Sequence, residues 1–216
     1  MMKRARKRIA GVLAVLLLLP TAAFAAETDG AGALPFTDVA RGAWCEDAIR
    51  EAYERGLMLG VSETAFAPDA TLTRSQFVTV LWRLAGSPVV NYALPYSDVG
   101  EDFWCADAVR WAAAEKITDR TEGAFGIIDP LLRDEAAFLL YNTAKALGAE
   151  GSGYADAGVP LQEDAPDARE AYAPALRWAV GAGILKGYSS RLLAPLYALT
   201  RAQAAVMLRR FTANAA

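Results

Sequence analysis

The chain has 216 residues, with 22 Lys and Arg against 25 Asp and Glu and no histidine. The missing imidazole excludes Ser-His-Asp and Cys-His nucleophiles and the usual zinc sites, so neither a metal site nor a cofactor is expected. Residues 1–25 hold five of the basic residues and no acidic one, so without them the balance is 17 against 25, a net charge of −8. That excludes a nucleic-acid binder, whose affinity comes from clustered Lys and Arg on phosphates.

In chain order, Lys3, Arg4, Arg6, Lys7 and Arg8 precede the apolar run "IAGVLAVLLLLP" and then Ala23-Phe24-Ala25. A basic start, a short apolar core and an Ala-x-Ala site describe a secretory signal peptide over 1–25. The apolar run falls short of the roughly 20 residues a spanning helix needs, so no stable transmembrane segment is expected after cleavage. Residues 26–34 then read as a short linker.

The rest repeats itself. "FTDVARGAWCEDAIREA" from Phe36 and "YSDVGEDFWCADAVRWA" from Tyr96 align Asp38 with Asp98, Trp44 with Trp104 and Ala48 with Ala108, at a spacing of 60. A third copy starts at "YADA" from Tyr154 and continues as "PALRWAVGAGILKG". There Ala175, Gly183 and Arg201 stand 127 positions beyond Ala48, Gly56 and Arg74. The expected units are 35–94, 95–150 and 151–216.

Each unit reads as helix, loop, helix. In the first, Trp44, Ala48, Ile49, Ala52 and Tyr53 recur at helical spacing, and Gly56 supplies a stop. The second helix opens at Thr73, with Phe77, Val80, Leu81 and Leu84 as its buried stripe. Thr73-x-x-Gln76 and Thr200-x-x-Gln203 are capping boxes. The middle unit has "DPLLRDEAAFLL" instead, where Asp129-Pro130 is expected to cap a helix starting about a turn earlier. It also has Lys116 where Gly56 and Gly183 stand.

The order F-x-D-V, Trp, Ala-Ile, Gly-Leu/Ile, F-x-P and Thr-Arg resembles the S-layer homology domain, from about Phe36 to Phe211. Copies one and three carry L-T-R-S-Q and L-T-R-A-Q, and copy two keeps only the arginine, as L-L-R-D-E. The resemblance implies an all-α fold in which three helix-loop-helix repeats pack around a pseudo-threefold axis. It further implies non-covalent attachment to secondary cell-wall polysaccharide, often bearing pyruvate ketals, in grooves between neighbouring repeats. The expected location is the cell wall or surface layer of a secreted protein.

Arg74 and Arg201, with Arg133 at the same place in copy two, stand one residue past their N-caps, at the helix end that disfavours cations. A repeated breach of a local rule points to function. A guanidinium at a helix start suits a carboxylate such as that of a pyruvate ketal. The alternative pairs each arginine with an aspartate at a repeat head, Asp38, Asp98 or Asp156. Trp44 and Trp104 begin apolar helix faces, which favours the core, with a sugar-stacking groove wall as the other reading. Asp38 and Asp98 either join the binding set or turn the chain before a helix. Cys45 and Cys105 are either two buried thiols or, export permitting, a disulfide.

The function expected is therefore wall anchoring without catalysis, since no catalytic constellation stands outside the repeats. A surface protein–protein adaptor that binds no sugar is the alternative, with another surface protein as partner. Nothing resembling a cargo domain is expected beside the three copies. The degraded middle copy should have the weakest site, giving one or two ligands per chain.

Overall fold

The computed structural model describes residues 34–149 and 168–214. The signal-peptide reading of 1–25 and the Tyr154-Ala-Asp156 head of the third copy lie outside them. Six α-helices follow in order: α1 Glu46–Glu54, α2 Arg74–Leu84, α3 Ala106–Ala114, α4 Arg133–Ala146, α5 Ala173–Gly181 and α6 Arg201–Asn214. Among the described residues only isolated bridges pair extended backbone, so the fold is all-α.

The helices form where local chemistry favours them. At α2, Thr73 Oγ1 accepts from the Gln76 N–H at 3.4 Å, and Gln76 Oε1 accepts from the Thr73 N–H at 3.0 Å. Thr200 and Gln203 repeat the exchange at α6, at 3.3 and 3.2 Å. Each cap satisfies donors that a helix start leaves orphaned, worth about 1 kcal/mol. The middle helix differs from expectation. It starts at Arg133, in register with the other two, and its N-cap is Leu132 with no side-chain cap. Asp129-Pro130 therefore does not begin it a turn earlier, because Asp129 turns to Arg74 instead.

The helices pack in a closed order: α2 against α3, α4 against α5, and α6 back against α1. Ala48, Ile49 and Ala52 of α1 are buried, as are Phe77, Val80 and Leu81 of α2. Tyr53 stays 37% exposed. At the hub, the segments before α2, α4 and α6 bond in a cycle. The Leu72 N–H donates to Leu199 O at 2.9 Å, Leu131 to Leu72 at 2.9 Å, and Leu199 to Leu131 at 2.8 Å. All three leucines are buried. Each helix pair is thus tied through backbone to both others, so buried amides at the hub are not left unpaired.

Upstream of each hub segment the chain makes the same turn. Ala67, Gly126 and Ala194 take positive φ of 58°, 80° and 54°. The residues just before them, Phe66, Phe125 and Leu193, are fully buried. Phe36 and Tyr96 lie against these turns, with ring centroids 5.4 Å from Phe66 and 5.1 Å from Phe125.

Candidate functional site

The three arginines at the helix starts are buried, at 3%, 4% and 8% exposure for Arg74, Arg133 and Arg201. Each reaches into the turn of the next helix pair. Arg201 Nε donates to Phe66 O at 2.8 Å and Nη2 to Leu59 O at 2.6 Å. Arg133 repeats this with Leu193 O at 3.1 Å and Lys186 O at 2.7 Å. Arg74 also reaches Phe125 O, but its Nε and Nη2 turn to the Glu135 carboxylate and its Nη1 to Asp129 Oδ2 at 3.1 Å. The helix-start arginine is therefore a clasp between pairs in all three places.

The aspartates hold the same turns from the other side. Asp38 accepts from the N–H groups of Phe66 and Ala67 at 2.9 and 2.7 Å. Asp98 accepts from Phe125, Gly126 and Ile127 at 2.6, 2.8 and 3.3 Å. Arg201 and Asp38 thus grip one residue, Phe66, by its carbonyl and its amide respectively. Burial opposes the charge on Asp38 and Asp98, but these amides outweigh it and hold both carboxyls below their ordinary pKa. Burial also pulls Arg201 below its ordinary value, with Asp38 opposing. For Arg74 burial is overcome by Glu135 and Asp129, which hold it above.

The tryptophans are where the core reading fails. Trp44 is 68% exposed and Trp104 60%. The helices begin at Glu46 and Ala106, so both indoles precede them and stand outside the buried stripes. Cys45 and Cys105, beside them in sequence, are buried free thiols.

Trp44 forms one wall of a cleft of about 250 Å³. Lys186, Gly187 and Tyr188 after α5 and Gln203 and Arg210 of α6 also line it, with buried Arg133. The Arg133 guanidinium lies 4.9 Å from the Tyr188 ring centroid, and Gln203 Nε2 donates to Tyr188 Oη at 2.9 Å. Two aromatic faces, one amide and the cations Lys186 and Arg210 therefore converge on one opening. Such a site suits a sugar ring carrying a negative group, with stacking from the aromatics and charge-assisted bonds from the cations.

The equivalent positions in the first helix pair change the chemistry. Leu59, Val61, Gln76 and Arg83 stand 127 positions before Lys186, Tyr188, Gln203 and Arg210, and Trp104 stands for Trp44. Arg201 clasps Leu59 O there just as Arg133 clasps Lys186 O. The third set of positions is filled. Tyr172 is buried, stacks on Phe138 at 4.5 Å and donates to Asp119 at 2.5 Å. Arg169 closes on Asp134 with two bonds, at 3.0 and 2.6 Å. The sequence brought forward the arginines, aspartates and tryptophans but missed Lys186, Tyr188 and Arg210. The available signal for Lys186 and Tyr188 was their flanking of Gly187 in the repeated "GILKG" phrase.

The model of the S-layer homology domain matches residues 35–78 and 166–205. An endoglucanase of Bacillus sp. (strain KSM-635) is 29% identical over 126 residues, covering 58% of this chain and 13% of the relative. The endo-1,4-beta-xylanase A of Thermoanaerobacterium saccharolyticum is 31% identical over 77 residues, 36% of this chain and 7% of the relative. A surface-layer 125 kDa protein of Lysinibacillus sphaericus is 44% identical over 57 residues, 26% of this chain and 5% of the relative. The matched stretches span only a small part of each of these relatives. Among the described residues no helix is long and apolar enough to cross a membrane. The S-layer homology domain is thus matched in both the first and the last helix pair of the chain.

Proposed function

We propose that the protein attaches non-covalently to the bacterial cell wall by binding an anionic secondary polysaccharide, pyruvylated or otherwise carboxylated, in the Trp44–Tyr188 cleft. The observation that carries this reading is the cleft itself: two aromatic faces with Lys186 and Arg210 beside them on a chain whose net charge is negative. A molecule of that sign meets an anionic polymer only through a local cationic site.

In this reading Arg133 is the floor of the cleft, and Arg201 holds the equivalent place beside Leu59. Arg74, Asp38 and Asp98 shape the frame rather than touch the ligand. The middle helix pair is then a third, divergent copy over 95–150, and its partner groove is closed by Tyr172 and Arg169. One or two ligands per chain follow, with binding rather than turnover as the activity.

Co-sedimentation of the protein with cell walls, before and after extraction of their secondary polymer, tests this. Binding should be lost with the polymer and reduced roughly tenfold by Trp44→Ala, an effect of about 1.4 kcal/mol. Undiminished binding to extracted walls would refute it and favour a protein adaptor.

A further inference from the structure

The chain crosses from α2 to α3 on a stretch that is fixed at both ends and unbonded between them. At one end the Ser87 N–H donates to Trp82 O and Trp82 Nε1 donates to Pro88 O, both at 2.9 Å. At the other, Tyr96 Oη donates to Arg120 O at 2.7 Å and the Ser97 N–H to Gly123 O at 2.8 Å. Between these posts, residues 89–95 form neither helix, turn nor bridge, and no N–H from Val89 to Leu94 donates to another described residue. Val90 and Leu94 lean on the core, while Val89, at 92% exposure, Asn91, Tyr92 and Ala93 are exposed.

An enzyme that cleaves a chain binds it in open form, through main-chain hydrogen bonds of the kind one strand makes to another. A bond inside a helix or a bonded turn must first be freed by local unfolding. Other exposed aromatics sit in such turns. The Phe103 N–H donates to Gly100 O and Phe103 O accepts from the Ala106 N–H, while Tyr188 donates to Leu192 O and Tyr197 to Ala194 O. Tyr92, 45% exposed, has no backbone bond to a described residue to break.

We propose that the Tyr92–Ala93 bond is a processing site for a serine endoprotease whose specificity pocket takes an aromatic side chain. Water is the second reactant: the C–N bond breaks, the hydroxyl goes to the Tyr92 carbonyl carbon and the hydrogen to the Ala93 nitrogen, leaving a carboxylate and an amine. The cut does not open the unit. The packing of α2 on α3 and of α6 on α1, the leucine cycle, and the Arg201 and Arg74 clasps all cross from one piece to the other without the cut bond. Trp44 falls in one piece and Lys186, Tyr188 and Arg210 in the other, so their cleft lasts only while the pieces stay together. Processing thus turns a single chain into a unit that dilution can take apart, whatever that cleft binds.

Limited digestion of the full chain with chymotrypsin, read by mass spectrometry, tests it. Among the bonds of residues 34–149 and 168–214, Tyr92–Ala93 should be cut first. The two pieces should co-elute on native gel filtration. The cut protein should melt at a temperature that rises with its concentration, as association requires, and the intact chain should not. Ala93→Pro should abolish the cut and leave the melting temperature of the uncut chain unchanged, because proline removes no backbone bond to a described residue there. Tyr92→Gly, which keeps the amide, should lose the cut as well. An earlier cut at Trp44, Phe103, Trp104, Tyr188 or Tyr197, or no cut at Tyr92, would overturn the site. A cut between 92 and 93 that persists in Tyr92→Gly would overturn the aromatic specificity, and pieces that part on gel filtration would overturn the two-piece unit.

Discussion

Arg201 and Phe66, 135 positions apart, meet twice: Nε donates to the Phe66 carbonyl at 2.8 Å, and the guanidinium carbon lies 4.5 Å from the centre of the Phe66 ring. The last helix of the unit is thereby latched to the first loop. Arg201→Ala removes the donor from two carbonyls, Phe66 and Leu59, in a buried setting. Each group left unsatisfied costs about 1–3 kcal/mol. For a chain of this size that is a melting temperature lower by about 4–24 °C, readable by calorimetry. Arg201→Lys should recover only part of the loss, because an ammonium cannot reach both carbonyls in the plane of the fork.

Arg74→Ala should be worse. It strands Glu135, which is 2% exposed, with only the more distant Arg169 guanidinium, 3.8 Å away, to offset its buried charge, at up to about 3–5 kcal/mol. Adding Glu135→Gln removes the stranded charge, and the double variant should melt above Arg74→Ala alone. A double variant no more stable than the single one would mean that Glu135 finds another partner.

Gly126→Ala should destabilise although Ala67 and Ala194 occupy the equivalent turns. A Cβ at Gly126 would collide with the Asp129 carboxylate and Arg74 Nη1, and its φ is already 80°. At this turn the arginine swings over to two acids, Glu135 and Asp129. Thermal melting should show a loss of about 1–3 kcal/mol, the usual range for overpacking.

The acid limb of stability has a defined sign. Asp38 and Asp98 have folded pKa values below their unfolded ones, so their contribution is present above the unfolded value of about 3.9. It is lost as pH falls through the depressed folded values. A denaturation series between about pH 5 and 2 should show stability declining, and Asp98→Asn should flatten that decline.

Cys45 and Cys105 should resist thiol reagents in the native state. Burial raises both, and pushes Cys105 up to about 11, so little thiolate is present at neutral pH. Two thiols should titrate in denaturant and essentially none without it.

Much of this was legible in the order of residues. The Thr-x-x-Gln boxes located α2 and α6 because capping is local chemistry within four residues. The spacing of Ala48, Ile49 and Ala52 gave α1 its buried face for the same reason. The destination of the arginines was not legible, since their partners are backbone carbonyls 51 to 142 positions away and a carbonyl has no sequence signature. Trp44 was misread as core because helical spacing was extended two residues beyond the helix start. Lys116 showed as an exception in the alignment, but its left-handed backbone, at φ 56°, and the cavity it lines with Tyr92 depend on where the segment before α3 runs.

The return of α6 onto α1 sets this fold apart from an open stack of repeats. In a stack, losing one unit shortens the array and an end cap still covers the last face. Here every helix pair has a neighbour on both sides, so excising one uncovers two apolar faces at once and cuts two links of the leucine cycle. Copy number is therefore not a quantity that can drift by single units. Two pairs should be insoluble rather than half as stable, four would have no place to insert, and unfolding should run through all three pairs in one transition.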